Sequence, residues 1–394
     1  MLNLGKASSS VAAMPQDKRA ALLPLTSLRF VAAAMIVVHH GLPENALPPA
    51  PVSLDQGVSF FFVLSGFILT YSYPSLASWA EVRRFLVYRI ARIWPAHAVA
   101  TFATIFAIHA MPIDFKLVAN LAMVHAWVPS WPWYFSYNAV SWSISTEFFF
   151  YLLFPFLIIN WSHTFWWKLA LAAALLLGLM IAARDLHLPE ITSVDTPSVH
   201  GLLYISPLAR LLEFVAGMTT CLAFRWASTK LGAASPWLFT ILEAGALVVA
   251  SWVLATHVIG TALLRVLPST AVEYVGHADA WPAIVPVIFV FAFQRGLLSQ
   301  FLSLKACLLL GEASYSLYLV HYLGLHFVSK YLGIIGVPGF VGGGMVAIIL
   351  AFILWRWVEI PARRAIRKLV LAPRIEPMPI RLETPRAMSR TPSI

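Results

Sequence analysis

Residues 25–41 read LTSLRFVAAAMIVVHHG, and this stretch decides the fold. It is an apolar run close to membrane-spanning length. Arg29 stands near its start, and His39 and His40 stand near its end. No proline or glycine interrupts it before Gly41, so it is expected to be helical. At about 100° and 1.5 Å per residue, Arg29 and His40 share one stripe and lie about 16 Å apart along the axis. His39 points about 80° away from that stripe. Ionisable groups on such a helix are costly, and they face a protein interior or a water-filled cavity. Taken singly, each is as well explained as an interfacial anchor. The shared stripe favours a polar track, cationic at one end and with a titratable base at the other.

The rest of the chain repeats the pattern. Of 394 residues, 60% are hydrophobic and 11% charged, and the mean hydropathy is +0.79. Soluble domains carry about 25% charged residues. The apolar runs are continuous rather than alternating, which selects helices over a barrel. The expected fold is all-α, a polytopic transmembrane bundle of about ten spans. They fall near 25–41, 55–73, 88–110, 139–160, 166–184, 203–224, 236–257, 281–296, 308–329 and 340–360. The apolar segment 117–127 is too short to span and reads as re-entrant or interfacial. Residues 1–22 lack the apolar core of a signal peptide and read as a cytoplasmic tail. Residues 23–368 form the transmembrane domain, and 369–394 form a Pro- and Arg-rich disordered tail. The two cysteines, Cys221 and Cys307, give neither a disulfide framework nor a zinc signature, and no metal is expected.

Basic residues set the orientation. With the N-terminus cytoplasmic, the inner segments carry seventeen Lys and Arg before the tail. The outer ones carry four: Lys116, Arg184, Arg265 and Lys330. An even number of spans puts both termini in the cytoplasm, Arg29 near the inner face and His40 toward the outer one. The net charge of +10 therefore reads as membrane topology and lipid-bilayer contact, not nucleic-acid binding.

Several polar groups interrupt the spans. Arg89 and Arg92 share a helix face just after Arg83 and Arg84. They suit phosphates, although lipid anchoring is the plainer reading. Trp127, Trp131, Trp133, Tyr134 and Tyr137 form an aromatic cluster, an interfacial belt or a sugar-stacking surface. Ser65-Gly66 is a small step for close approach of a helix or a substrate. Glu147 sits inside an apolar span beside Ser141, Ser143 and Ser145, where it needs a partner or a proton. Arg210 with Glu213, and Glu359 with Arg363, are spaced to pair. Ser314, Tyr318 and His321 share one face of the ninth span. The segment 257–280, with His257, Arg265, Glu273, His277 and Asp279, reads as a polar outward loop beside an acceptor.

In order, LTSLRFVAAAMIVVHH, DQGVSFFFVLSGF, YRIARIWP, WSISTEFFFYLLFP, GEASYSLYLVH and VEIPARR resemble the acyltransferase 3 family over roughly residues 25–365. These are bacterial integral-membrane acyltransferases. The resemblance implies transfer of an acyl group, often acetyl, from acyl-coenzyme A to hydroxyls of surface polysaccharides or small glycosides. It implies a place in the bacterial inner membrane. The family's arginine–ten residues–histidine motif falls on Arg29 and His40. Its arginine pair falls on Arg89 and Arg92, ahead of Ile93 and Pro95. Where the family often has an aromatic residue, this chain has His97. Some relatives continue into an extracytoplasmic hydrolase-like domain. Here the last span is followed only by the tail, so transfer is expected to finish in the membrane domain or on a partner.

On this resemblance Arg29, Arg89 and Arg92 hold the phosphates of acetyl-coenzyme A or another acyl-coenzyme A. His40 is general base or transient acyl carrier. Glu147 orients or charge-balances His40, and Tyr318 or His321 donates to the oxyanion. The acceptor is a carbohydrate or lipid-linked glycan. The rival reading is a proton-coupled transporter or flippase of a glycan or small solute. No inverted repeat supports it. A scaffold would need no polar track. P-loop, His-Glu-x-x-His and Gly-x-Ser-x-Gly motifs are missing from the sequence.

Overall fold

The computed structural model describes residues 21–42, 53–108, 112–231 and 234–371. Of the expected tails, 1–22 and 369–394, residues 1–20 and 372–394 lie outside the described residues, as do residues 43–52 of the first proline-rich loop; residues 369–371, expected to be disordered, complete the last helix. Sixteen α-helices follow one another: α1 (Leu23–Gly41), α2 (Gly57–Ser72), α3 (Trp79–Ile108), α4 (Phe115–Leu121), α5 (Trp131–Tyr134), α6 (Trp142–Leu157), α7 (Trp161–Asp185) and α8 (Leu211–Lys230). Then come α9 (Pro236–Thr256), α10 (Val258–Leu263), α11 (Ala271–Ala278), α12 (Trp281–Phe291), α13 (Leu297–Leu302), α14 (Lys305–Tyr331), α15 (Gly336–Leu354) and α16 (Ile360–Leu371). No strand occurs among the described residues.

Among the described residues, eight helical stretches are long and apolar enough to cross a membrane: 23–41, 54–72, 79–108, 139–157, 161–185, 236–256, 271–291 and 336–366. The two remaining expected spans, 203–224 and 308–329, fall on α8 and α14. These helices have 20 and 27 residues. Their polar side chains dilute the apolar signal, and several of them, Glu213, Thr220, Ser314, Ser316, Tyr318 and His321, are buried inside the bundle. The span expected at 203–224 starts later, because a π-turn at Gly201–Ile205 precedes α8. The segment 117–127 is short, as expected: α4 followed by a 3-10 turn at His125–Trp127.

Inner and outer helices differ in what they cover. On α9, Trp237, Ile241, Val248 and Trp252 are exposed, and on α15 so are Val341, Met345, Ile349 and Ile353. Such apolar faces are stable only against lipid. At the centre, α14 runs against α1 and α15, and α2 runs against α8. The α2–α8 contact is backbone on backbone. A Cβ on Gly66 would strike the carbonyl of Phe214, and one on Gly217 would strike that of Val63. Gly66 therefore serves packing, while its neighbour Ser65 faces a cavity.

Helix ends at the Arg29 side are closed by basic side chains. Lys168 Nζ donates to the carbonyls of Leu157 and Ile159 at 2.9 and 2.8 Å, past the end of α6. Arg225 donates to those of Thr70 and Tyr71 at the end of α2. Arg295 donates to those of Leu231 and Ala234 after α8. The last carbonyls of a helix lack intrahelical donors and carry partial negative charge, which these cations neutralise.

Candidate active site

A cavity of about 740 Å³, part of it open to solvent, lies between α1, α2, α3, α6 and α14. Arg29, Arg89 and Arg92 line it, with Ser65, Glu147 and Tyr151, and with Ser143, Tyr315 and Tyr318. The aliphatic and aromatic lining comes from Val58, Phe61, Phe62 and Ile93, among others.

The three arginines come from two helices. Arg29 is nearly two turns into α1, and Arg89 and Arg92 are on one face of α3. Arg89 Nη2 is 3.4 Å from the Tyr73 hydroxyl and its guanidinium lies over that ring, but its Nε is buried without a partner. Among the described residues Arg29 and Arg92 have no hydrogen-bond or ion-pair partner. Three half-buried guanidiniums with spare donors are prepared for an anion. The aromatic and small residues of α3 that face the core hold this face in place, Phe85 and Ala96 being fully buried.

Glu147 lies in the same cavity. Its Oε1 accepts from Tyr151 at 2.5 Å and from Ser65 at 3.2 Å. The carboxylate does not bond to His40, as the sequence had suggested it would. One turn of helix separates Glu147 from Tyr151, and that spacing favours the local bond over a distant one.

The partner of His40 is His321. His40 Nδ1 and His321 Nε2 are 3.0 Å apart, and the rings stack with centroids at 5.1 Å. His321 is fully buried, and its Nδ1 is 2.7 Å from the Tyr318 carbonyl oxygen. A carbonyl only accepts, so His321 Nδ1 carries the hydrogen and the Nε2 of the neutral ring is a lone pair. His40 Nδ1 must then donate, which leaves the Nε2 of His40 as its basic atom. His39, by contrast, is exposed and only meets the His40 ring edge-on.

Tyr318 joins the two ends. Its ring lines the cavity and lies 5.9 Å from the His321 ring. Its hydroxyl donates to the Val140 carbonyl at 2.9 Å and accepts from Ser143 at 2.7 Å. That proton is committed, so in this state Tyr318 is not a free oxyanion donor, and His321 is likewise engaged. His40 is itself exposed and does not line the cavity; it connects to it through His321 and Tyr318.

A family profile described as an acyltransferase domain, acyltransferase 3, matches residues 25–356. The chain belongs to the acyltransferase 3 family. It is a multi-pass membrane acyltransferase. It is 26% identical over 341 residues to acyltransferase MdmB of Streptomyces mycarofaciens, covering 78% of this chain and 80% of that one. It is 29% identical over 345 residues to O-acetyltransferase OatA of Staphylococcus aureus, covering 78% of this chain and 52% of that one. This acyltransferase thus spans about half the length of OatA. No solved structure matches it.

Other sequence expectations for this acyltransferase have definite places. Arg210 and Glu213 pair at 3.3 Å with no exposure, and Glu359 pairs with Arg363. Of the aromatic cluster, Tyr134 and Tyr137 are buried, Trp127 donates to the Ser145 carbonyl and Trp133 to Asp195. The segment 257–280 is not a solvated loop. It forms α10 and α11, and buried Asp279 accepts from the Gly260 amide and bonds with Gln56. The sequence reading missed Asp55, Gln56 and His200 as members of this group. Asp55-Gln56 directly ahead of an apolar span was the available signal, since a buried carboxylate there needs a partner.

Proposed function

We propose that this acyltransferase moves an acyl group, acetyl in the first instance, from acyl-coenzyme A to a hydroxyl of a carbohydrate acceptor. The observation that carries this reading is the cavity joining three underpartnered arginines to Tyr318, behind which His321 and His40 stand. Arg29, Arg89 and Arg92 hold the donor's phosphates at the cytoplasmic side of the inner membrane. Glu147 keeps the arginine end from excess positive charge and fixes Ser65 and Tyr151. The pantetheine arm follows the stripe of α1, whose length from Arg29 to His40 is about 16 Å.

His40 Nε2 takes the proton of the acceptor hydroxyl, and the oxygen attacks the thioester carbonyl carbon. The carbon–sulfur bond breaks, and the thiolate leaves with the proton from the imidazolium as free coenzyme A. His321 positions His40 by fixing its tautomer, and Tyr318 with Ser143 holds His321. The name of the relative OatA supports acetyl as the group and oxygen as the accepting atom. A sugar or lipid-linked glycan supplies the hydroxyl.

The test is transfer of label. Membrane vesicles containing the chain receive acyl-labelled acetyl-coenzyme A, and the glycan fraction is examined by mass spectrometry. Added acetyl mass on sugar hydroxyls, lost without the chain, is the expected result. A solute that crosses the vesicle unchanged, with no covalent label, refutes the reading.

A further inference from the structure

A second cluster of ionisable side chains lies outside the lining of the arginine-lined cavity. It gathers Asp55 at the 3-10 turn before α2, His200 just before the π-turn, and Glu273 and His277 on α11. His277 Nδ1 is 2.5 Å from Asp55 Oδ2, and its Nε2 is 3.3 Å from Glu273 Oε1. His200 Nδ1 is 2.7 Å from the same Glu273 oxygen. The side chains are partly accessible: 33% for His277, 22% for Glu273 and 13% for His200.

The arrangement requires positive charge between its members. A carboxylate accepts and never donates. With its proton on Nδ1 toward Asp55, a neutral His277 would aim a lone pair at Glu273. A further proton or a cation must lie between them, whereas His200 Nδ1 can meet the same carboxylate with the ordinary N–H of a neutral ring. That positive group is either one extra proton, making His277 an imidazolium between Asp55 and Glu273, or a cation shared by the Glu273 carboxylate and the two imidazoles.

We propose that His200, Glu273 and His277 bind a divalent transition cation of the zinc class, with Asp55 orienting His277. One ligand atom from each of the three residues lies within 4.8 Å of the others. A tetrahedral ion with bonds of about 2.0–2.1 Å sets its ligand atoms about 3.3 Å apart. The observed separations of 3.3 and 2.7 Å lie at and below that value, and small side-chain rotations close the site. Two imidazoles and one carboxylate are a donor set that zinc accepts, with a further position left for water. Asp55 on the far nitrogen of His277 is the usual outer-shell carboxylate, which fixes the tautomer and raises ligand basicity. The bound ion ties α11 to the start of α2 and to the turn at 201–205.

The experiment uses the full chain purified in detergent, stripped with a chelator and titrated with Co²⁺ while its visible absorption is followed. One Co²⁺ per chain with tetrahedral bands is expected, displaced by Zn²⁺. Glu273→Gln and His277→Ala are expected to abolish the bands, and Asp55→Asn to weaken binding roughly 10–100-fold. Since these variants can misfold, the unaltered protein supplies an independent reading. Its unfolding midpoint rises with Zn²⁺ and not with Mg²⁺. No Co²⁺ bands and no Zn²⁺-dependent shift in the unaltered chain overturn the proposal and leave a proton-only ion-pair network. Bands that persist in folded Glu273→Gln and His277→Ala place the ion elsewhere and overturn it equally. The measurement needs no turnover, so it stands or falls apart from the acyl-transfer reading.

Discussion

At the scale of single residues, the two adjacent histidines separate cleanly. His40 has a buried partner that sets its tautomer, and His39 has none of that support. Loss of a general base costs roughly 10²–10⁴-fold. We expect His40→Ala to lower kcat in that range and His39→Ala to stay within about threefold of it unaltered, in vesicles fed labelled donor. Equal activities would remove His40 from the chemistry. His321→Ala tests the positioning role. It should lower kcat by at least about tenfold, a wrong tautomer costing up to about 10⁴-fold in a comparable triad, while donor KM stays within about twofold. A rise in KM with kcat unchanged would mean that His321 serves binding instead. The pairing of Arg29 with His40 on one stripe was legible because helical period alone fixes it. The contact of His40 with His321 was not, since the two are 281 positions apart and no local rule connects them. Glu147 misled for the opposite reason: a lone intramembrane carboxylate advertises a partner without saying which, and Tyr151 one turn away supplies it.

At the scale of elements, the bundle core depends on close backbone approach and on one buried ion pair. Gly217 on α8 leaves no room for a side chain against the Val63 carbonyl of α2. Gly217→Leu should force α2 and α8 apart, at a cost of about 3 kcal/mol or more, above the usual range for overpacking because backbone rather than a side chain must move. It should also disturb the cavity wall that α2 provides. Glu213→Ala should cost about 3–5 kcal/mol, because it leaves the Arg210 guanidinium buried and uncompensated. Arg210 would keep only Ser59 at 3.0 Å and the faces of Phe62, Tyr204 and Tyr274. Thermal unfolding in detergent reads both variants, and midpoints equal to that of the unaltered chain would show that neither contact matters. The apolar runs made most helices legible, since lipid-facing helices must be apolar along their length. α8 and α14 are harder to read for a physical reason. Their polar side chains, among them Arg210, Glu213, Tyr318 and His321 at or near these helices, are covered by neighbouring helices rather than by lipid. The fold of 257–280 was hidden because its charges satisfy one another at short range, which composition reads as a solvated loop.

At the scale of the whole molecule, the two ends of the bundle differ in charge, and this argues for a sided reaction. Lys168, Arg225 and Arg295 close helix ends on the side of Arg29, and exposed Arg83 and Arg84 stand beside Arg89 there. Asp55, Asp279, Glu273 and His277 gather at the opposite end, with His40. A polyanionic donor is attracted to the first end and repelled by carboxylates at the second. Lys and Arg also favour the cytoplasmic face during insertion. Both arguments support the proposed orientation, with the arginine end of the cavity toward the cytoplasm and the imidazole toward the acceptor. Sealed vesicles of the two orientations, supplied with membrane-impermeant labelled acetyl-coenzyme A, check this. Inside-out vesicles should acetylate an acceptor held in their lumen, and right-side-out vesicles should take up label only after permeabilisation. Replacing both Arg89 and Arg92 by Ala should raise donor KM by roughly a hundredfold or more, each charge-assisted bond contributing about 1.5–3 kcal/mol. It should leave the orientation unchanged, since Arg83, Arg84 and the helix-capping cations remain. Labelling confined to right-side-out vesicles would reverse the corridor and detach the arginine cluster from the donor.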